Sequence, residues 1–128
     1  MSERVNVNGR LTPPGAASVS PLDRGFLFGD GVYETVRTYH GRPFRLGPHL
    51  ERLRRSAERL RIPWPPSSLD PAVEVTRTLA EAANPESAIR IVLTRGVGPV
   101  GYDTGGCGDP TLVVHVRPCP SLPRGARE

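Results

Sequence analysis

Asp23-Arg24-Gly25-Phe26-Leu27-Phe28-Gly29-Asp30-Gly31-Val32-Tyr33-Glu34-Thr35-Val36-Arg37 gathers three glycines, several aromatic rings and alternating polar groups more densely than any other stretch of the chain. Its first half reads as a turn-rich approach. Asp23 can accept from nearby backbone N–H groups, and Gly25, Gly29 and Gly31 tolerate positive φ or close backbone approach. Its second half reads as a strand from Val32 to Tyr39, in which period-2 alternation sets Val32, Glu34, Val36 and Thr38 on one face. The other face carries Tyr33, Thr35, Arg37 and Tyr39. A phenol, a hydroxyl and a guanidinium in series make a poor core face and a plausible pocket wall. A nucleotide-binding loop does not fit, because both the P-loop and the dinucleotide fingerprint need a helix after the glycines, and here a strand follows.

Working outward, 128 residues at 37% hydrophobic content are about one domain's worth of core. No apolar run has the length of a membrane span, and the opening residues lead into no apolar signal segment, so the expectation is a cytoplasmic protein. Cys107 and Cys119 form no Cys-x-x-Cys pair and the histidines are not clustered, which argues against a metal site. All seventeen basic residues are arginines; the chain has no lysine. The net charge of +4 is spread along the sequence and partly offset by carboxylates, weak grounds for a nucleic-acid partner.

Before the central stretch, Arg4 to Leu11 alternates around Asn8-Gly9, a strong hairpin signal. After it, His40-Gly41 turns the chain into a short strand from Arg42 to Leu46. A helix follows from Gly47-Pro48 to about Arg61, with Leu46, Leu50, Leu53, Ala57 and Leu60 forming one apolar seam. His49, Arg52, Ser56 and Arg59 line one flank of that seam, while Glu51, Arg54, Arg55 and Glu58 face water in i,i+4 pairs. Arg52 is set beside the seam, where its planar donor fork could meet a phosphate. Asp70-Pro71 caps a second helix ending near Asn84-Pro85, with Ala72, Val75, Thr76, Leu79, Ala82 and Ala83 as its apolar side. Ala88–Arg95 is a strand with Ile89, Ile91 and Leu93 inward. Gly96 to Pro110 is a glycine-rich loop, and Thr111–Arg117 is the final strand, with His115 a satisfied strand residue. The pattern predicts an α+β fold, an antiparallel sheet covered by two helices.

The central stretch, followed by Pro48-His49-Leu50-Glu51-Arg52-Leu53, resembles the class IV, or fold type IV, pyridoxal-phosphate enzymes: branched-chain aminotransferases, D-amino-acid aminotransferases and aminodeoxychorismate lyase. The likeness extends from Val7-Asn8-Gly9 through Thr94-Arg95-Gly96 and Gly101-Tyr102 to the final strand. It implies that residues 1–117 are the N-terminal domain of such an enzyme and that residues 118–128, rich in proline, begin the interdomain linker. It also implies that the family's C-terminal domain lies outside these 128 residues.

By the same resemblance, Arg52 binds the cofactor phosphate, and Tyr33, Thr35, Arg37 and Tyr102 line the substrate side. Val100 and Tyr102 occupy positions where D-amino-acid aminotransferases carry basic residues. That ranks branched-chain-like transamination, then aminodeoxychorismate lyase chemistry, above the D-amino-acid reading. The implied cofactor is pyridoxal 5'-phosphate, and the implied partners are an amino acid, a 2-oxo acid and a second subunit in a homodimer. The family's Schiff-base lysine lies in the C-terminal domain, so the chain contains no catalytic residue of that kind, and these residues alone are expected to perform no transamination. A non-catalytic binding or dimerising module is the reading from a different class.

Overall fold

The structure, a computed structural model, describes residues 2–64, 66–98 and 108–120. Strand β3 (Gly31–Tyr39) alternates as its sequence demands, with Glu34, Val36 and Thr38 buried and Tyr33 and Thr35 exposed. It pairs antiparallel with β5 (Ser87–Thr94), which pairs with β6 (Thr111–Pro118). The N-terminal hairpin β1 (Arg4–Val7) and β2 (Arg10–Thr12) adds to the far side of β6, and β4 (Arg42–Pro43) sits beside the end of β3. The six-stranded antiparallel sheet therefore runs β2-β1-β6-β5-β3-β4. Both hairpins turn through two residues at positive φ, Asn8-Gly9 and His40-Gly41, as two-residue loops require. The expected strand from Arg42 to Leu46 stops after two residues because the next helix already begins at Leu46.

One sheet face is covered by α2 (Leu46–Arg59) and α3 (Pro71–Ala82). Leu53, Ala57 and Ile62 from the α2 region and Val75 and Ala82 from α3 meet Val36, Ile89, Ile91, Leu93, Leu112, Val114 and Val116 in one core. The α2 seam holds except at its end. Helix α2 closes at Arg59, so Leu60 becomes the cap and is 41% exposed.

Helix α3 starts where Asp70 accepts from the Ala72 N–H, as its sequence predicts. Its buried face is rotated from the expected one: Glu74 and Thr78 are buried, while Thr76 and Ala83 are exposed. Buried Asn6 is the reason, since its amide donates to Glu74 and to the Thr78 hydroxyl (3.0 and 3.1 Å), drawing that side of α3 onto β1. Among the described residues no helix is long and apolar enough to cross a membrane.

The turn expected before β3 is instead a short helix, α1 (Arg24–Phe28). Asp23 caps its start by accepting from the Gly25 N–H at 2.8 Å, and Gly29, at φ 67°, ends it in the left-handed region. Five residues are too few for a hydrophobic period, so only the two caps announce it. Gly31 then opens β3 where a Cβ would lie 2.7 Å from the Leu93 carbonyl oxygen, leaving room for glycine alone.

Candidate active site

Glu34 is the centre of the site. Alternation places it on the helix-covered face of β3, where it is 6% exposed, and a carboxylate there needs cationic partners. Helix α2 supplies them from consecutive turns. Arg52 donates from Nε to Oε2 and from Nη2 to Oε1, each at 2.8 Å, and His49 Nδ1 lies 2.7 Å from Oε1. The Arg52 hydrogen bonds hold the Glu34 carboxyl below its ordinary value; burial opposes them, and His49 adds to the lowering. Because an ionised carboxylate only accepts, His49 Nδ1 is the donor, which leaves Nε2 for another partner.

The Arg52 side chain is nevertheless 63% exposed. Its fork is spent on Glu34 along one edge, while Nη1 has no acceptor among the described residues. Arg45, Pro48, His49, Arg52 and Arg55 line a surface cavity of about 270 Å³ over this edge. A guanidinium held rigidly from behind, an imidazole and further arginines around a cavity suit a phosphate monoester.

Tyr33, Thr35 and Arg37 lie on the opposite face of β3, which α2 and α3 do not cover and on which Tyr33 and Thr35 are exposed. The structure thus brings those three together and sets Arg52 across the strand from them. Strand β4 flanks only the Thr38 and Tyr39 end of β3, so from Val32 to Val36 the outer edge of β3 has no neighbouring strand among the described residues. A ligand at this edge can meet α2 on one side and the open face on the other.

On that open face Arg90 of β5 lies with its guanidinium 4.4 Å from the centroid of the Tyr33 ring, and Arg37 covers the Tyr39 ring at the same distance. Arg37 Nε also donates to the Thr38 carbonyl at 2.8 Å. Tyr102 and Val100 fall outside the described residues. His115 is satisfied by Glu3 at 2.5 Å, as a strand residue should be.

Sequence reasoning missed two residues of the site, Glu34 and Arg90. For Glu34 the signal was present: a carboxylate on a core face and a His-x-x-Arg stripe flanking the seam of the next helix. For Arg90 it was absent, because its neighbour depends on the register that pairs Tyr33 with Val92 and Thr35 with Arg90.

Residues 31–128 match the family described as Amino-transferase class IV. A putative branched-chain-amino-acid aminotransferase of Methanocaldococcus jannaschii is 39% identical over 119 residues, 93% of this chain and 41% of that protein. A D-alanine aminotransferase of Staphylococcus aureus is 40% identical over 96 residues, 74% of this chain and 34% of its own length. The aminodeoxychorismate lyase of Bacillus subtilis is 32% identical over 114 residues, 88% of this chain and 39% of that enzyme. Among solved structures, a hypothetical aminotransferase from Mycobacterium tuberculosis in its PLP-bound form superimposes with a TM-score of 0.69 at 33% identity, over 94% of this chain and 41% of that one. The chain spans about two fifths or less of the length of these relatives. With its antiparallel sheet, its two covering helices and these matches, the chain belongs to the class IV aminotransferase family.

Proposed function

We propose that this chain is the N-terminal, phosphate- and substrate-facing domain of a pyridoxal-phosphate enzyme of the cytoplasm that exchanges an amino group between a branched-chain-like amino acid and a 2-oxo acid. The observation that carries this reading is Arg52. It is fixed from behind by buried Glu34 while most of its side chain faces a cavity ringed by cations.

The cofactor supplies the electron sink for chemistry at the substrate's α-carbon. The residues of this chain bind and orient. Arg52 takes the phosphate through donors that Glu34 does not use, and Glu34 keeps that fork from swinging into solvent. His49, by donating to Glu34, holds the carboxylate in the plane that Arg52 needs. Across the strand edge, Tyr33 presents an aromatic wall, Thr35 a hydroxyl, and Arg37 a cation for the substrate carboxylate, with Arg90 adding positive charge beside Tyr33. The lysine that would move the proton belongs to the remainder of the enzyme, since the chain has none. Exposed Leu22, Phe26, Leu27 and Phe28 around α1, with Phe26 at 71%, support a second subunit packed there.

The test is Arg52→Ala in the full-length protein. Pyridoxal-phosphate affinity should fall at least about tenfold, the scale of a lost charge-assisted hydrogen bond, in protein that remains folded at the assay temperature, although its melting temperature falls because buried Glu34 loses its main partner. Unchanged affinity rejects the assignment. The likeness to aminodeoxychorismate lyase favours a second reading. Amino transfer to 2-oxoglutarate supports the first, and pyruvate release from aminodeoxychorismate supports the second.

A further inference from the structure

Beyond Arg37 the sheet departs from its regular pattern. The last regular pair of β3 and β5 is Arg37 with Ala88. At the next position the Ser87 N–H donates not to a strand carbonyl but to the Thr38 hydroxyl, at 2.8 Å. That hydroxyl in turn donates to a carboxylate oxygen of Glu86. The Thr38 carbonyl accepts the Arg37 Nε–H instead. Glu86 also accepts from the backbone N–H groups of His40 (2.7 Å) and Gly41 (3.2 Å), both residues of the β3–β4 turn. One carboxylate therefore fixes the turn, orients the Thr38 hydroxyl and leaves the Thr38 carbonyl to Arg37.

We propose that Glu86 is a positioning residue for substrate binding: through Thr38 and the β3–β4 turn it holds Arg37 against the Tyr39 ring, with the remaining guanidinium donors left for a substrate carboxylate. The role rests on the reading of Arg37 as the carboxylate-binding cation. Glu86 itself stays ionised for the same geometric reasons. The Thr38 hydroxyl bond lowers its carboxyl from the ordinary value against the opposing effect of burial, and the Gly41 and His40 N–H groups and the Arg37 charge add to this. With the clamp intact, Arg37 meets an incoming carboxylate in one conformation rather than many. That is a gain in affinity without a new contact.

The experiment uses the full-length protein with 2-oxoglutarate as the anionic probe, comparing Glu86→Gln, Thr38→Val, Thr38→Ser, Arg37→Gln and the Glu86→Gln/Arg37→Gln double variant. The expected result is that Glu86→Gln and Thr38→Val each raise KM for 2-oxoglutarate about fivefold with kcat within about twofold, while Thr38→Ser restores the wild-type value. Added to Arg37→Gln, Glu86→Gln should have no further effect, because it acts through that arginine. Amide hydrogen exchange should quicken at His40 and Gly41 in Glu86→Gln and stay unchanged at Ile89 and Ile91, which excludes general unfolding. If Arg37→Gln raises KM and Glu86→Gln does not, or if the two effects add in full, the positioning role is overturned. If Arg37→Gln leaves KM unchanged, the parent reading of Arg37 fails and takes this role with it, and the exchange data still show whether the clamp exists.

Discussion

Two carboxylates of this domain are held by arginine forks, and they are put to opposite uses. Asp30, just before β3, takes Arg95 Nε at 2.5 Å and Nη2 at 3.2 Å, with Arg24 Nε 3.7 Å away. Most of the rest of the Arg95 guanidinium is consumed as well: Nη2 donates to the Leu60 carbonyl at 2.6 Å and Nη1 to the Arg61 carbonyl at 3.1 Å, so four of its five N–H donors are spent. Arg95 thereby satisfies carbonyls at the C-terminal end of α2, which the helix itself leaves without donors. Its side chain is 11% exposed. Glu34 engages Arg52 through the same fork geometry, but Arg52 is 63% exposed and has donors to spare. The same pairing thus makes a structural clasp in one place and a binding element in the other. What separates them is how many donors the protein leaves unspent.

The sharpest way to break this comparison is Arg95→Met. It takes the hydrogen-bonding partner from the Asp30 carboxylate, leaving only the more distant Arg24, and the donors from two carbonyls at the end of α2 in a largely buried setting, and urea unfolding should show a loss of about 3 kcal/mol. Glu34→Gln comes next. It should lower the melting temperature by less than Arg95→Met, and it should weaken pyridoxal-phosphate affinity by roughly the factor seen for Arg52→Ala, because a neutral amide no longer fixes the fork.

Acid sharpens the same point. The Glu34 carboxyl is lowered in the folded state, so its contribution is complete above its unfolded value and is lost as the pH falls through the lower folded one. Unfolding curves taken from about pH 5 to about pH 3 should therefore decline more steeply for the wild type than for Glu34→Gln. Smallest of all, Arg54→Ala removes an exposed pair with Glu58, 3.2 Å apart on the outer face of α2, and should change stability by no more than a few tenths of a kcal/mol.

The comparison also shows what a sequence can and cannot disclose. Alternation in Ile89, Ile91 and Leu93 located β5 because one face of that strand is wholly buried, and Asp70-Pro71 located the start of α3 because capping is a local interaction. Arg52 could be singled out because its place on α2 follows from helical period alone. Its anchor Glu34 was placed on the correct face, yet its partner lies 18 residues away on another element, and nothing local joins the two. The Asp30–Arg95 clasp spans 65 residues and depends on the register of β3 against β5, which sequence period does not fix. The helix α1 escaped because its evidence is confined to two caps, Asp23 and Gly29. Helix α3 was turned toward the wrong neighbours because the buried amide of Asn6, 68 residues before Glu74, decides which side faces in.

The strand order has a consequence for how the chain assembles. The β1–β2 hairpin is complete within the first dozen residues, yet its place in the sheet is against β6, where Val5 pairs with His115 and Val7 with Val113. During synthesis from the N-terminus, that hairpin emerges early and waits about a hundred residues for its docking strand. Meanwhile α2, α3 and the β3–β5 pair can already gather. Closing so long a loop is entropically costly, and a topology of this kind folds slowly and exposes strand edges while it waits. β6, the sheet's latest strand to emerge, is the one that joins its two halves.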